Sequence, residues 1–462
     1  MTTDTQDLTR GMARFAVAAH DFPALARARA RDAIADGVGC MLAGSREALA
    51  GPLAATLPSF DAPSDAFPAL MIGRRRHATP ADAALFNGTV AHALDFDDTN
   101  HPAYAHPTAV IAAALFALAP RVRPGFATGA AVIDAYIVGF EFFGKLGRAL
   151  NTQHYKRGWH TTGTFGALAA AAAAARLLGL DEERATMALG IAASSASGLR
   201  ASFGSMTKPL HAGQAARNGV LAALLAEAGF SASAEAIEHR YGYLGVFNDG
   251  LSIDPAPLAA MGSDLEILTE HGLALKPYAA CGATHPGIEA AERLHARLAG
   301  RLISSVRAGV CEMAFAPLIH VMPASPLEGK FSLHFCLAAA LLHGPVTLAT
   351  FSDGMVNDAA VRALIPRIEM VVDPRWRDDG EFATEVVVET EDGETLSEFV
   401  PLAQGKPARW FSPERLRGKF DDCASVAMDA AARDVAWAAL AGLDSARPVT
   451  GLLDSLAAVN ER

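Results

Sequence analysis

GWHTTGTFGALAAAAAAARLLGL, residues 158–180, carries no charged side chain between His160 and Arg176 and is built largely of alanine, glycine and leucine. Alanine and leucine lose little side-chain freedom in a helix, so the stretch predicts one. A helix with no polar face has to be buried on more than one side. A membrane would bury it too, but the apolar tracts at Thr164–Ala175 and Pro107–Pro120 both fall short of the roughly 18–20 residues a span requires. The helix therefore belongs at the centre of a large bundle.

The surrounding sequence supplies the bundle. Helix-period pattern runs from Thr9 to about Leu225, at Ala24–Leu42, Pro80–Leu94, Thr108–Ala119, Ala130–Leu150, Thr162–Leu178, Glu182–Ser194 and Gly213–Ala228. Near Leu268 the character changes. Ser305–Phe315, Arg367–Val372 and Thr384–Val388 alternate or are rich in valine, and TEVVVET and ETLSEFV flank Asp392-Gly393, a hairpin signal. Helical pattern at Gly287–Leu298 and Leu333–Leu342 makes this an α+β unit. After Gly405, Ser412-Pro413-Glu414 has the chemistry of a helix start and the alanine-rich pattern returns. The expected fold is mainly α: a large all-helical domain built from both termini, residues 1–270 and 405–462, with a smaller α+β domain inserted at 271–404.

The chain has 462 residues, 51% hydrophobic and 19% charged, with a formal net charge of -11. That balance argues against nucleic acid as a partner, since phosphate binding needs a basic face and Arg74-Arg75-Arg76 is a short run that reads as a solvated loop. Five scattered cysteines with no CxxC pair argue against a disulfide framework or a zinc ribbon. MTTDTQDLTRGMARF lacks the basic and apolar regions of a signal peptide. The expected compartment is the cytoplasm, with no membrane partner.

Chemistry concentrates in AHALDFDDTNHPAYAH, residues 91–106, where Asp95, Asp97, Asp98, His92, His101 and His106 precede an apolar helix. Such a density of titratable groups beside a helix entry reads as the rim of a site. The bland readings are that Asp97 and Asp98 cap the following turn and that His92 and His101 are structural. Polar residues also precede helical runs at Lys156–Thr162, Gly204–Pro209 and Lys276–His285. Helix N-termini carry unsatisfied N–H groups that favour carboxylates. Converging, the entries with His106, His160 and Lys208 would form a cationic cup for a substrate with two or three carboxylates. Singly, His160 reads as a cap, Lys208 as a loop lysine and Cys281 as a small buried residue.

HALDFDDTNHP, GWHTTGTFGALAAAAAAARLLGL, FGSMTKPLHAGQAARNG, KPYAACGATHPGIEA and PLEGKFSLHFCLAAAL resemble, in that order, the motifs of the MmgE/PrpD family, which includes 2-methylcitrate dehydratase, cis-aconitate decarboxylase and iminodisuccinate epimerase. The resemblance runs from about residue 10 to about residue 425. It implies a helical domain, an α+β lid domain, a homodimer, and a site without metal or cofactor in the cleft between domains. By motif it implies catalytic roles for Asp95, His106, His160 and Lys208, with Thr99, Lys276, Cys281 and His320 on the substrate. The match at His106 needs one extra residue after Thr99. Decarboxylase relatives carry a basic residue and a histidine where Pro277 and Cys281 stand, and a tyrosine near Ile319 or His320. These departures turn the expectation toward a dehydratase of the 2-methylcitrate type acting on a small di- or tricarboxylate, with cis-aconitate decarboxylation or iminodisuccinate epimerisation as the alternative. His160 or Asp95 is then the base or acid, Lys208 and Lys276 hold carboxylates, and His106 assists proton transfer. Two other classes stay open: a metal-dependent hydrolase on Asp97, Asp98, His101 and His106, and a non-catalytic paralogue.

Overall fold

The computed structural model describes residues 7–123, 125–150, 152–248, 253–376, 381–457 and 459–460. They form two compact units, Met1–Leu275 with Ser412–Arg462, and Lys276–Phe411. The fold is mainly helical, with a small sheet in the second unit.

In the first unit the alanine-rich helix, Thr161–Leu178, is buried along almost its whole length. Helices Pro107–Leu118, Gly129–Leu150, Glu182–Ser195 and Thr207–Glu227 pack around it. Small residues let the backbones come close, where dispersion contacts are most numerous. A Cβ at Gly219 would lie 2.3 Å from the Ala170 methyl, and one at Gly88 would lie 2.8 Å from Gly213 Cα. An added methyl at either place forces the helices apart, a strain of about 1–3 kcal/mol.

Most helices agree with the periodicity to within a turn, and two differ in ways that matter to the site. The helix expected to reach Leu94 stops at Ala91, with His92 as its C-cap. The chain then turns through Asp95 in the left-handed region, φ 54°. The helix expected from Gly213 begins at Thr207, so Lys208 lies in its first turn rather than in a loop. Pro209 is tolerated there because its missing N–H would have had no intrahelical partner. Two short antiparallel ladders, Ala69–Met71 with Arg76–Ala78 and Thr99–Asn100 with Leu273–Ala274, are too brief for periodicity to register.

The returning C-terminal segment begins with helix Pro413–Ala424, capped by the Ser412 hydroxyl, which accepts from Arg415 N–H at 3.2 Å. It packs on helix Ala24–Gly44. Within that contact the Lys419 ammonium lies 2.6 Å from Asp36, and both side chains are buried.

The second unit is a four-stranded sheet in the order Ile368–Val372, Ile303–Val310, Thr384–Thr390, Thr395–Val400. The first pair is parallel and the other two antiparallel. The expected hairpin is present, turning at Gly393 with φ 87°. Strand Ile303–Val310 stops short of Phe315, and Glu312–Phe315 is a single 3-10 turn. Helices His285–Leu298 and Leu333–His343 cover the sheet through Ile288, Leu294, Phe335, Val386 and Val388. Among the described residues no helix is long and apolar enough to cross a membrane.

Candidate active site

Asp97 is the fixed point of the loop between helices Pro80–Ala91 and Pro107–Leu118. It is fully buried and faces His92 Nδ1 at 2.9 Å and His106 Nδ1 at 3.4 Å. Burial alone would push its carboxyl up, but the two imidazoles outweigh burial and hold it well below the usual carboxylate range. An ionised acceptor places the His92 proton on Nδ1 and leaves Nε2 of that ring as the bare nitrogen. Asp98 behaves oppositely. Burial, reinforced by Asp97, raises it well above its ordinary range, and its Oδ1 accepts from Thr108 N–H at 2.9 Å in the first turn of helix Pro107–Leu118.

Two helix entries meet beside Asp97. His106 is the N-cap residue of helix Pro107–Leu118 and His160 that of Thr161–Leu178, neither using its ring as a cap. The turns are tied together: His106 N–H donates to Thr162 Oγ1 at 3.2 Å, and the Thr161 hydroxyl donates to the Tyr104 carbonyl at 2.6 Å. The His92 ring lies 4.4 Å from that of His106 and 5.9 Å from that of His160, centroid to centroid. Lys208 supplies the third entry. Its Nζ donates to Asp95 Oδ1 at 2.9 Å, and His106 Nε2 lies 3.9 Å from the same oxygen. Phe203 stands edge-on to His160 at 4.9 Å and beneath the Lys208 ammonium at 5.4 Å.

Asp95, His106, His160 and Lys208 are thus brought together. Lys208 is not the bare cation of a positive cup, because Asp95 is paired with it and the Asp97 charge acts on it from further off. Burial works to lower its pKa, yet Asp95 first and Asp97 with it reverse the direction, so the ammonium keeps its proton. His160 is pushed well below its ordinary pKa by burial and then by His92, Lys208, His211 and His106, so it is neutral. His92 falls to about 4, chiefly by burial. The cluster offers one ammonium, two carboxylates and the neutral imidazoles of His92 and His160, suited to moving a proton while charge grows nearby.

Thr99 pairs with Ala274 in the short ladder of the first unit. The other expected residues belong to the second unit. Lys276 is buried. Cys281 is half-buried, and its N–H donates to the Lys330 carbonyl at 2.9 Å. His320 is partly exposed and 3.9 Å from Glu328.

Among the described residues, the group whose donor atoms could converge on a metal is His92, Asp97 and His106, all within 4.8 Å. Asp98 and His101 are not part of it: Asp98 bonds Thr108, and His101 packs on Tyr104 and His271. Asp97 already accepts from an imidazole without any ion. His92, read from sequence as structural, and Asp97, read as a cap or a hydrolase's metal ligand, share the cluster, and so does His211, which the sequence did not single out and whose Nδ1 is 3.0 Å from His160 Nδ1. The signal for His211 was its position three residues after Lys208, which on one helix means the same face.

Sequence models of two domains match the chain, the MmgE/PrpD N-terminal domain over residues 10–256 and the MmgE/PrpD C-terminal domain over residues 278–444. The second match runs past Phe411 into helices that belong to the first compact unit. The chain is 30% identical to cis-aconitate decarboxylase of Aspergillus terreus over 467 residues, covering 95% of this chain and 93% of that protein. It is 29% identical to the cis-aconitate decarboxylase-like protein oryM of Aspergillus oryzae, covering 88% of each chain. The human cis-aconitate decarboxylase is 30% identical over 362 residues, 74% of this chain and 72% of the relative. Both domain matches and near full-length similarity to these decarboxylases place the chain in the MmgE/PrpD family, as an enzyme of its lyase type.

Proposed function

We propose that the protein decarboxylates a small unsaturated tricarboxylate of the cis-aconitate type. The observation that carries this reading is the Asp95–Lys208 pair set beside two histidines at the N-termini of two helices, His160 buried and His106 partly so. The names of the relatives support it. When the bond to the leaving carboxylate breaks, its electron pair passes into the carbon framework and carbon dioxide departs. The negative charge then grows on a carbon next to a remaining carboxylate, and an imidazole N–H delivers a proton to the framework. Lys208 steadies that charge without losing its proton, and Asp97 keeps the His92 tautomer fixed. Lys276 holds a further carboxylate in this reading, and the enzyme works as a homodimer.

Pro277 and Cys281 favour a second reading, dehydration of a 2-methylcitrate-type substrate, because the resemblance gives decarboxylases a basic residue and a histidine there. One experiment separates them. Purified protein is incubated with cis-aconitate, 2-methylcitrate, citrate and iminodisuccinate while carbon dioxide and alkene protons are followed by NMR. Carbon dioxide from cis-aconitate is the expected result. Alkene formation from 2-methylcitrate with no carbon dioxide from cis-aconitate would select the dehydratase.

A further inference from the structure

We infer that His211 is the proton relay of the site: it sets which nitrogen of His160 carries a proton and passes its own Nδ1 proton to His160 as His160 gives one to carbon. The inference rests on the proposed proton delivery by the cluster, and it names a residue that no motif role covers.

The two rings face each other through like atoms. His160 Nδ1 and His211 Nδ1 are 3.0 Å apart, with ring centroids 5.2 Å apart. Two neutral imidazoles can approach this way only if one Nδ1 carries a proton and the other accepts it. The backbone is shaped for the pair. Gly198, at φ 135°, lies against both side chains, so that a Cβ there would be 3.3 Å from the His211 ring and 3.4 Å from His160 Cβ. Its carbonyl accepts from His160 N–H at 3.0 Å. Gly163 lets the chain at Ser197 pass, since a Cβ at Gly163 would come within 2.2 Å of the Ser197 carbonyl oxygen. His160 is buried and His211 is partly exposed, so the pair runs from the cluster toward water.

Two arrangements follow, with the same number of protons. When His211 donates through Nδ1, the proton of His160 is on Nε2, and His160 is an acid toward substrate. When His160 donates, its Nε2 is bare, and it is a base. In the decarboxylating direction the His160 Nε2 proton goes to carbon, the shared proton moves from His211 Nδ1 to His160 Nδ1, and water protonates His211 Nε2. Each ring ends neutral with His160 Nε2 bare; once product leaves, water protonates His160 Nε2, the shared proton returns to His211 Nδ1 and His211 Nε2 releases its proton, so the cycle closes with one solvent proton consumed. His160 stays neutral throughout, since burial and the groups facing it, His92, Lys208, His211 and His106, all disfavour its cation. His211 is likewise lowered by burial.

The test is a proton inventory with chemical rescue. In mixtures of light and heavy water, wild-type kcat should show a curved dependence on deuterium fraction, two protons being in flight. His211→Gln should lower kcat by about 10- to 100-fold with KM nearly unchanged, and make the dependence linear. His211→Ala should recover kcat when imidazole is added, in proportion to the basicity of the imidazole used. A variant with wild-type kcat, or one whose loss leaves the curvature intact and resists rescue, overturns the relay. Nitrogen-15 spectra of histidine-labelled protein supply an arm independent of turnover: His160 should show one tautomer in wild type and a mixture in His211→Gln. A protein inactive on every polycarboxylate but showing that change would sink the proposed function and leave the pairing standing. An unchanged His160 signal would sink the pairing itself.

Discussion

The Lys419 ammonium lies 2.8 Å from the Phe96 carbonyl oxygen and 3.9 Å from the centre of the Phe96 ring. Phe96 sits between Asp95 and Asp97, so a lysine from the C-terminal segment pins the loop that carries both carboxylates. Asp36 holds the other side of the ammonium at 2.6 Å. Lys419→Met should lose about 3–5 kcal/mol of stability, because Asp36 would be left buried without its counter-charge. The double variant Lys419→Met with Asp36→Leu should recover most of that in urea denaturation while kcat stays depressed. Recovery of both would reduce Lys419 to a stabilising residue.

Asp97→Asn keeps the shape of the side chain and removes its charge. His92 then loses the acceptor that fixes its proton on Nδ1 and His106 loses the charge that faces its Nδ1 at 3.4 Å, so kcat should fall by about 10²-fold or more with little change in KM. Steady-state kinetics near neutral pH read the outcome. A normal kcat would mean that Asp97 serves the loop and not the tautomer.

His160 and Lys208 should separate chemistry from binding. His160→Gln should lower kcat by about 10²–10⁴-fold with KM little changed. Lys208→Ala should raise KM, and lower kcat as well where the ammonium meets charge that grows in the transition state. Circular dichroism should match wild type for both. If His160→Gln turns over normally, proton delivery passes to His106 and Asp95.

Stability should fall on mild acidification. His92 and His154 are both held at about 4, mainly by burial, against 6.5 for an ordinary histidine. A depressed pKa means that the unfolded chain binds a proton the folded chain refuses, so their contribution is intact above pH 6.5 and is lost as pH falls toward 4. The urea midpoint should drop between pH 7 and pH 5, as His92, His154 and the likewise depressed His160 take up protons on unfolding. A flat profile over that window would contradict the assigned burial of these rings.

The helical bundle was legible because apolar, alanine-rich helices leave a period that survives without neighbours. Motif order then brought Asp95, His106, His160 and Lys208 forward. What escaped was relational. In sequence His92 looks structural and Asp97 looks like a cap, and only the turn through Asp95 with positive φ sets them against His106. Lys208 looked like a free loop cation because the Asp95 carboxylate, 113 residues away in sequence, cannot be paired with it by spacing. The longer helix around Pro209 hid His211 in the same way, since a lysine in a loop has no helical face to share.

The most direct test of the central claim, proton delivery by this cluster after loss of carbon dioxide, is NMR of carbon-13-labelled cis-aconitate incubated with the protein in deuterium oxide, with chelator present. The account predicts labelled carbon dioxide and a dicarboxylate product carrying one deuterium at the protonated carbon, with both slowed together in His160→Gln. Unchanged cis-aconitate, or turnover that stops with chelator and returns with added metal, would contradict it.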